Sequence, residues 1–153
     1  MSGMPAVVEQ VVQARLIISA GRSARLQVTL RYRADDPLAV RMVFPVEYAL
    51  DGTDEEPGPA DAAAAGVEWV FARRLLAGGL EEPSGLGDVH VRPVPERGTV
   101  VELRAPEGVA VLRFTTADLR RFLWRSHLAV PEDQESRYLD PDRELAELLG
   151  HLG

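Results

Sequence analysis

The chain has 153 residues, 46% of them apolar, and a net charge of −7, which fits one globular domain large enough for a real core. It contains no cysteine and no lysine; every basic residue other than histidine is arginine. That composition excludes disulfides, thiolate metal sites, a cysteine nucleophile, Schiff-base chemistry and a phosphate loop of the GxxxxGK type. No apolar run approaches the ~20 residues needed to span a bilayer. No basic n-region precedes an apolar segment, so no signal peptide is expected and a reducing cytoplasm is the expected setting.

Taken in order, residues 7–18 are rich in β-branched side chains and read as a strand, with alternation irregular enough for a bulge. After a turn at Gly21-Arg22-Ser23, Leu26, Val28, Leu30 and Tyr32 alternate with Arg25, Gln27, Thr29, Arg31 and Arg33. This is the clearest half-buried strand, and its outer face is basic. Ala34-Asp35-Asp36-Pro37 carries turn chemistry, and a third strand is expected from Leu38 to Phe44. Residues 45–66 are acidic, then alanine-rich, and read as a flexible insertion. Residues 67–79 predict a helix, with Val67, Val70, Phe71 and Leu75 on one side and Trp69, Ala72 and Leu76 on the other. A helix apolar on two sides has two things to pack against: its own sheet and either a neighbouring subunit or more of the same domain.

Gly78-Gly79 stops that helix, and a Pro-Ser-Gly-Leu-Gly-Asp loop follows. Three strands are predicted over 88–94, 99–104 and 109–115, joined by short turns that require antiparallel pairing. A second helix begins at Thr115 or Thr116, with Leu119, Phe122, Leu123 and Ser126 inward, and Pro131 ends it. Asp140 and Pro141 open a short terminal helix with Leu145, Leu148 and Leu149 on its apolar side. The expected architecture is α+β: a strongly curved, barrel-like antiparallel sheet built as two βββα halves, in one domain over 1–153.

Chemistry-bearing residues are sparse. His90, His127 and His151 share no ligand spacing, and Gly85-Leu86-Gly87 lacks the third glycine of a dinucleotide fingerprint. Ser84 has no nucleophile-elbow setting, and the pairs Asp35/Asp36 and Glu81/Glu82 lie in turns. No catalytic, cofactor or metal site is expected. Charge is uneven: six arginines stand between Arg15 and Arg41 against Asp35 and Asp36, while seven acids crowd 132–147. Trp124 lies among Arg120, Arg121 and Arg125, where it can anchor a protein partner, stack a base or cover the sheet.

The motif VEWVFARRLLAGGL, followed by Pro83-Ser84-Gly85-Leu86-Gly87-Asp88-Val89, resembles the signature of the SsgA-like sporulation and cell-division proteins of spore-forming actinobacteria. YRADDPLAV from Tyr32 to Val40, Ala105-Pro106-Glu107-Gly108, Phe122-Leu123, Val130-Pro131 and the terminal leucines agree with it. Arg92 stands where the family pattern has tryptophan, and Trp124 where it has a basic residue. The resemblance implies a small non-enzymatic regulator of sporulation-specific septation, cytoplasmic and located at division septa. It also implies a fold like the whirly nucleic-acid-binding proteins, assembly as a homotrimer, and a link to the tubulin-like division protein FtsZ.

Two functions are therefore expected in competition. One is a homo-oligomeric adaptor using Trp69, Arg73, Leu76 and Trp124 as contact groups. The other is single-stranded nucleic-acid binding through Arg25, Arg31 and Arg33 with Trp124, against which the acidic total counts.

Overall fold

The structure, a computed structural model, describes residues 6–44, 67–85, 87–106 and 108–138. The insertion expected at 45–66, the helix expected from Asp140 and His151 lie outside these residues.

Seven strands form one antiparallel sheet: β1 (Val7–Ser19), β2 (Arg22–Arg33), β3 (Ala39–Val43), β4 (Glu68–Ala72), β5 (Val89–Val94), β6 (Gly98–Ala105) and β7 (Gly108–Phe114). Helix α1 (Arg73–Gly79) follows β4, helix α2 (Thr116–Ala129) follows β7, and a 3-10 helix spans Glu132–Tyr138. The order across the sheet is β4-β3-β2-β1-β7-β6-β5. Each half of the chain is thus a meander, and the halves join where Ala14, Arg15 and Leu16 pair with Phe114, Arg113 and Leu112. The α+β class and the curled antiparallel sheet agree with expectation. The strand count does not: the first half carries four strands before its helix.

The additional strand is β4, which replaces the first part of the expected helix. Trp69 and Phe71 face inward opposite Met42 and Val40, while Glu68, Val70 and Ala72 face outward. Over so few residues, Val67, Val70 and Phe71 fit a helical stripe, but Trp69, Phe71 and the exposed Val70 fit period two equally. Pairing with β3 decides between them, because each bond to β3 satisfies a backbone group that a short helix would leave open. The two apolar sides of the helical reading do not survive: Trp69 and Phe71, placed on opposite sides, share the inner strand face, and Leu75 and Leu76 belong to α1.

Alternation holds across the sheet. Val12, Ala14 and Leu16, then Leu26, Val28, Leu30 and Tyr32, then Val40, Met42 and Phe44 all point into one core. Val89 and Val91, Val101 and Leu103, and Ala110, Leu112 and Phe114 complete it from the second half. Helix α2 lies over this face with Leu119, Phe122, Leu123 and Ser126 buried, as its spacing predicts. Gln10 reaches the Asp118 carbonyl with its side-chain amide at 2.9 Å, which fixes α2 over β1.

The curl is closed by α1. This helix has seven residues, roughly 10 Å of rise. It leaves β4, one sheet edge, and packs on β5, the other. Gly79 sits so close to β5 that a Cβ there would overlap the Val91 side chain. Beyond it, Ser84 exchanges two backbone hydrogen bonds with Val91, at 2.8 and 2.9 Å, and so covers the β5 edge. In the β5–β6 turn, Glu96 has φ 68°, unusual for a residue with a Cβ, and the Arg97 N–H donates to the Val94 carbonyl at 2.9 Å.

Candidate interaction surfaces

The residues expected as contacts divide sharply. Leu76 is fully buried in the core, and Arg73 is 1% exposed, so neither faces a partner. Both expectations came from a helix begun too early. A helix that starts at Arg73 places Arg73, Leu76 and Leu80 on its inner side, at spacings of three and four. Trp69 is half-buried against the core, and its indole N–H has no acceptor among the described residues. Trp124, at 63% exposure, is the one of the four that stands on the surface. It shares the outer side of α2 with Leu128, four residues on and 65% exposed.

Arg73 instead holds the fold together. Its Nη1 donates to the carbonyls of Ser126 at 3.2 Å and Val130 at 2.8 Å, and its Nη2 donates to Glu135 Oε1 at 2.6 Å. Its guanidinium carbon lies 4.7 Å over the Tyr32 ring, and the Tyr32 hydroxyl donates to the Pro37 carbonyl at 3.0 Å. The two carbonyls belong to the C-terminal end of α2, where a cation is favoured; the Ser126 carbonyl also accepts the Val130 N–H, at 2.9 Å. One planar fork thus caps α2, pairs with the 3-10 helix and stacks on β2. A lysine ammonium, being a point charge, cannot match all three.

The arginine-rich outer face of β2 is partly neutralised within the fold. Arg31 pairs with Glu9 at 3.4 Å, and Arg33 holds Asp35 with two bonds of 2.7 and 2.9 Å. Arg25 forms no ion pair among the described residues. Arg41 of β3 bridges Glu68 and Asp36, each at 2.8 Å. Hydrogen bonding to Glu68 is the main cause that raises the Arg41 pKa, against some desolvation.

His127 lies beside the buried cation. Burial first, and then the Arg73 charge, lower its pKa from the ordinary 6.5, against the opposing pull of Glu132, the Leu123 backbone and Glu135. A base with a depressed folded-state pKa binds protons more readily when unfolded. Its contribution is therefore intact above about pH 6.5 and is lost as the pH falls towards the folded value. Urea unfolding measured from pH 7.5 to 5.0 should show this decline, and His127→Gln should flatten it. Equal slopes in both proteins would assign the decline to other groups.

Comparison with known proteins follows the same outline. The model of the family described as "Streptomyces sporulation and cell division protein, SsgA" matches residues 26–135. The chain belongs to the SsgA family. Among its relatives is the sporulation-specific cell division protein SsgB of Streptomyces coelicolor, 39% identical over 138 residues, which cover 88% of this chain and 90% of that protein. The SsgB of Kineococcus radiotolerans is 37% identical over 143 residues, covering 90% of this chain and 77% of the relative. A solved SsgA-like sporulation-specific cell division protein from Thermobifida fusca matches with a TM-score of 0.74 at 33% identity, covering 96% of this chain and 98% of that one. A second solved structure, from a study of SsgB mutations and longitudinal cell division during sporulation of Streptomyces coelicolor, gives 0.73 at 37% identity, covering 90% and 99%. The SsgA-family match includes Tyr32, Arg73 and Glu135, so the buried arginine network lies within the region that defines the family.

Proposed function

We propose that this SsgA-family chain is a non-enzymatic adaptor of sporulation-specific cell division that positions the septation machinery from the cytoplasm, at the septum, by recruiting or controlling FtsZ. The carrying observation is the 39% identity to SsgB over nearly the full length of both chains. The fold supports an adaptor, because its charged residues largely serve the fold while apolar side chains remain outside. Val7, Val11 and Val70 are 53%, 61% and 48% exposed on the outer sheet face, and Trp124 and Leu128 stand on α2. Among the described residues, no helix is long and apolar enough to cross a membrane.

Self-association, as the trimer that the family resemblance implies, uses the outer sheet face in this proposal. A Val70→Glu chain should keep its fold and lose mass by light scattering; an unchanged mass would remove β4 from the contact. Trp124 is assigned to the division partner. A fluorescent fusion should form bands coincident with the FtsZ ring in sporulating cells. Trp124→Glu should disperse those bands at unchanged melting temperature, because the side chain is exposed. Diffuse fluorescence from the unsubstituted fusion would overturn the adaptor role.

Single-stranded nucleic-acid binding is the weaker alternative. Arg31 and Arg33 already hold carboxylates, and Trp124 lies on α2, on the other side of the sheet from the arginines.

A further inference from the structure

On the sheet face turned away from the core, strand register sets one row of residues side by side: Arg25 on β2, Arg15 on β1, Arg113 on β7, Val100 on β6 and Arg92 on β5. Arg25 stands directly opposite Arg15, and Arg15 directly opposite Arg113. Like charges in that arrangement destabilise a sheet. Arg97, from the β5–β6 turn, joins them, and an open groove of about 560 Å³ is lined by Arg15, Arg25, Arg97 and Arg113 with Gln13 and Glu96.

The surrounding arginines are paired, as Arg31, Arg33, Arg41, Arg92 and Arg104 each hold a carboxylate. Among the described residues, Arg15, Arg25, Arg97 and Arg113 hold none; Arg15 donates only to the Ser23 hydroxyl, at 3.3 Å. Glu96 is in the lining, held in the left-handed region at φ 68°, and forms no ion pair with any of the four. Four cations therefore share a groove in which none of them forms an ion pair among the described residues and Glu96 is the one carboxylate of the lining, in a protein whose net charge is −7.

We infer that this groove docks an acidic segment of a partner protein, an extended stretch with several closely spaced Asp or Glu carboxylates. Charge complementarity selects the class, and guanidinium forks receive carboxylates in paired hydrogen bonds. Adjacent strands lie about 4.8 Å apart, and alternate side chains of an extended peptide about 6.6 Å apart, a mismatch that long arginine side chains absorb. A nucleic-acid strand fits less well. The aromatic residue in the lining, Phe114, is 1% exposed and offers no stacking platform, and the net charge repels a long polyanion. The inference rests on charge and register, independently of the division role, so its failure would leave the localisation experiment untouched.

The test is fluorescence anisotropy of a labelled peptide of alternating Glu and Gly against the full chain at low salt, with Gln for Glu as the control peptide. The acidic peptide should bind and the control should not. Arg15→Gln/Arg113→Gln should weaken binding by about tenfold. The same pair of substitutions should leave the free protein melting no lower than the parent, since repulsion is relieved, which separates lost binding from lost fold. Arg104→Gln, at a cation that lies outside the groove and already holds Glu102, should leave binding unchanged. The inference is overturned by equal binding of both peptides, by no binding at low salt, or by equal binding to the double variant. A single-stranded oligonucleotide of the same length binding more tightly than the peptide would also overturn it. So would a change of oligomeric state in the double variant, which would assign the row to contact between copies.

Discussion

Arg73→Met should lower unfolding stability by about 3–5 kcal/mol, read as a fall in the urea midpoint. Methionine fills much of the same space, so the cost comes from what the guanidinium leaves behind. Glu135, 10% exposed at its side chain, loses its cation, and the Val130 carbonyl loses the guanidinium, while the Ser126 carbonyl keeps the Val130 N–H at 2.9 Å. A buried carboxylate without a partner costs far more than the pair contributes when intact, because desolvation offsets most of the Coulombic attraction. It follows that Arg73→Met/Glu135→Leu should be milder than Arg73→Met alone. A single variant that unfolds at the parent midpoint would mean that Glu135 finds water at no cost, and the network would then be incidental.

Gly79→Ala should cost about 2–3 kcal/mol although it adds one methyl group. In an exposed helix the same change stabilises, because alanine is the better helix former. Here the new Cβ overlaps the Val91 side chain and lies 3.0 Å from the Val91 carbonyl oxygen, so α1 and β5 must separate. That separation matters because α1 links the two edges of an open sheet. Val91→Ala removes part of the obstacle. The double variant should therefore be less destabilised than the sum of the single ones by about 1 kcal/mol, as expected of residues in contact. Strict additivity in thermal or urea unfolding would show that the overlap is relieved elsewhere.

Much of the fold is legible in the residues. β2 alternates so cleanly because one face is core and the other is solvent, and α2 repeats at helical spacing for the same reason. The segment 67–79 was misread because it changes period at Ala72, and five residues of β4 are too few to separate period two from 3.6. The same shift misplaced Arg73 and Leu76 on a contact surface. Nothing local marks Arg73 as buried. Its hydrogen-bond partners stand 53 to 62 residues away in sequence, at Ser126, Val130 and Glu135.

The amino-acid sequence by itself settled the class of protein and the family, since the central motif, the alternating strands and the missing lysine and cysteine are all one-dimensional properties. It also settled which residues of α2 face inward, because helical period and apolarity suffice for that. The tertiary structure alone decided which arginines are free. Pairing is a matter of register between strands that are distant in the chain. It aligned Arg25, Arg15 and Arg113 with no ion pair among the described residues and sent Arg73 into the core, where a single cation serves three elements at once.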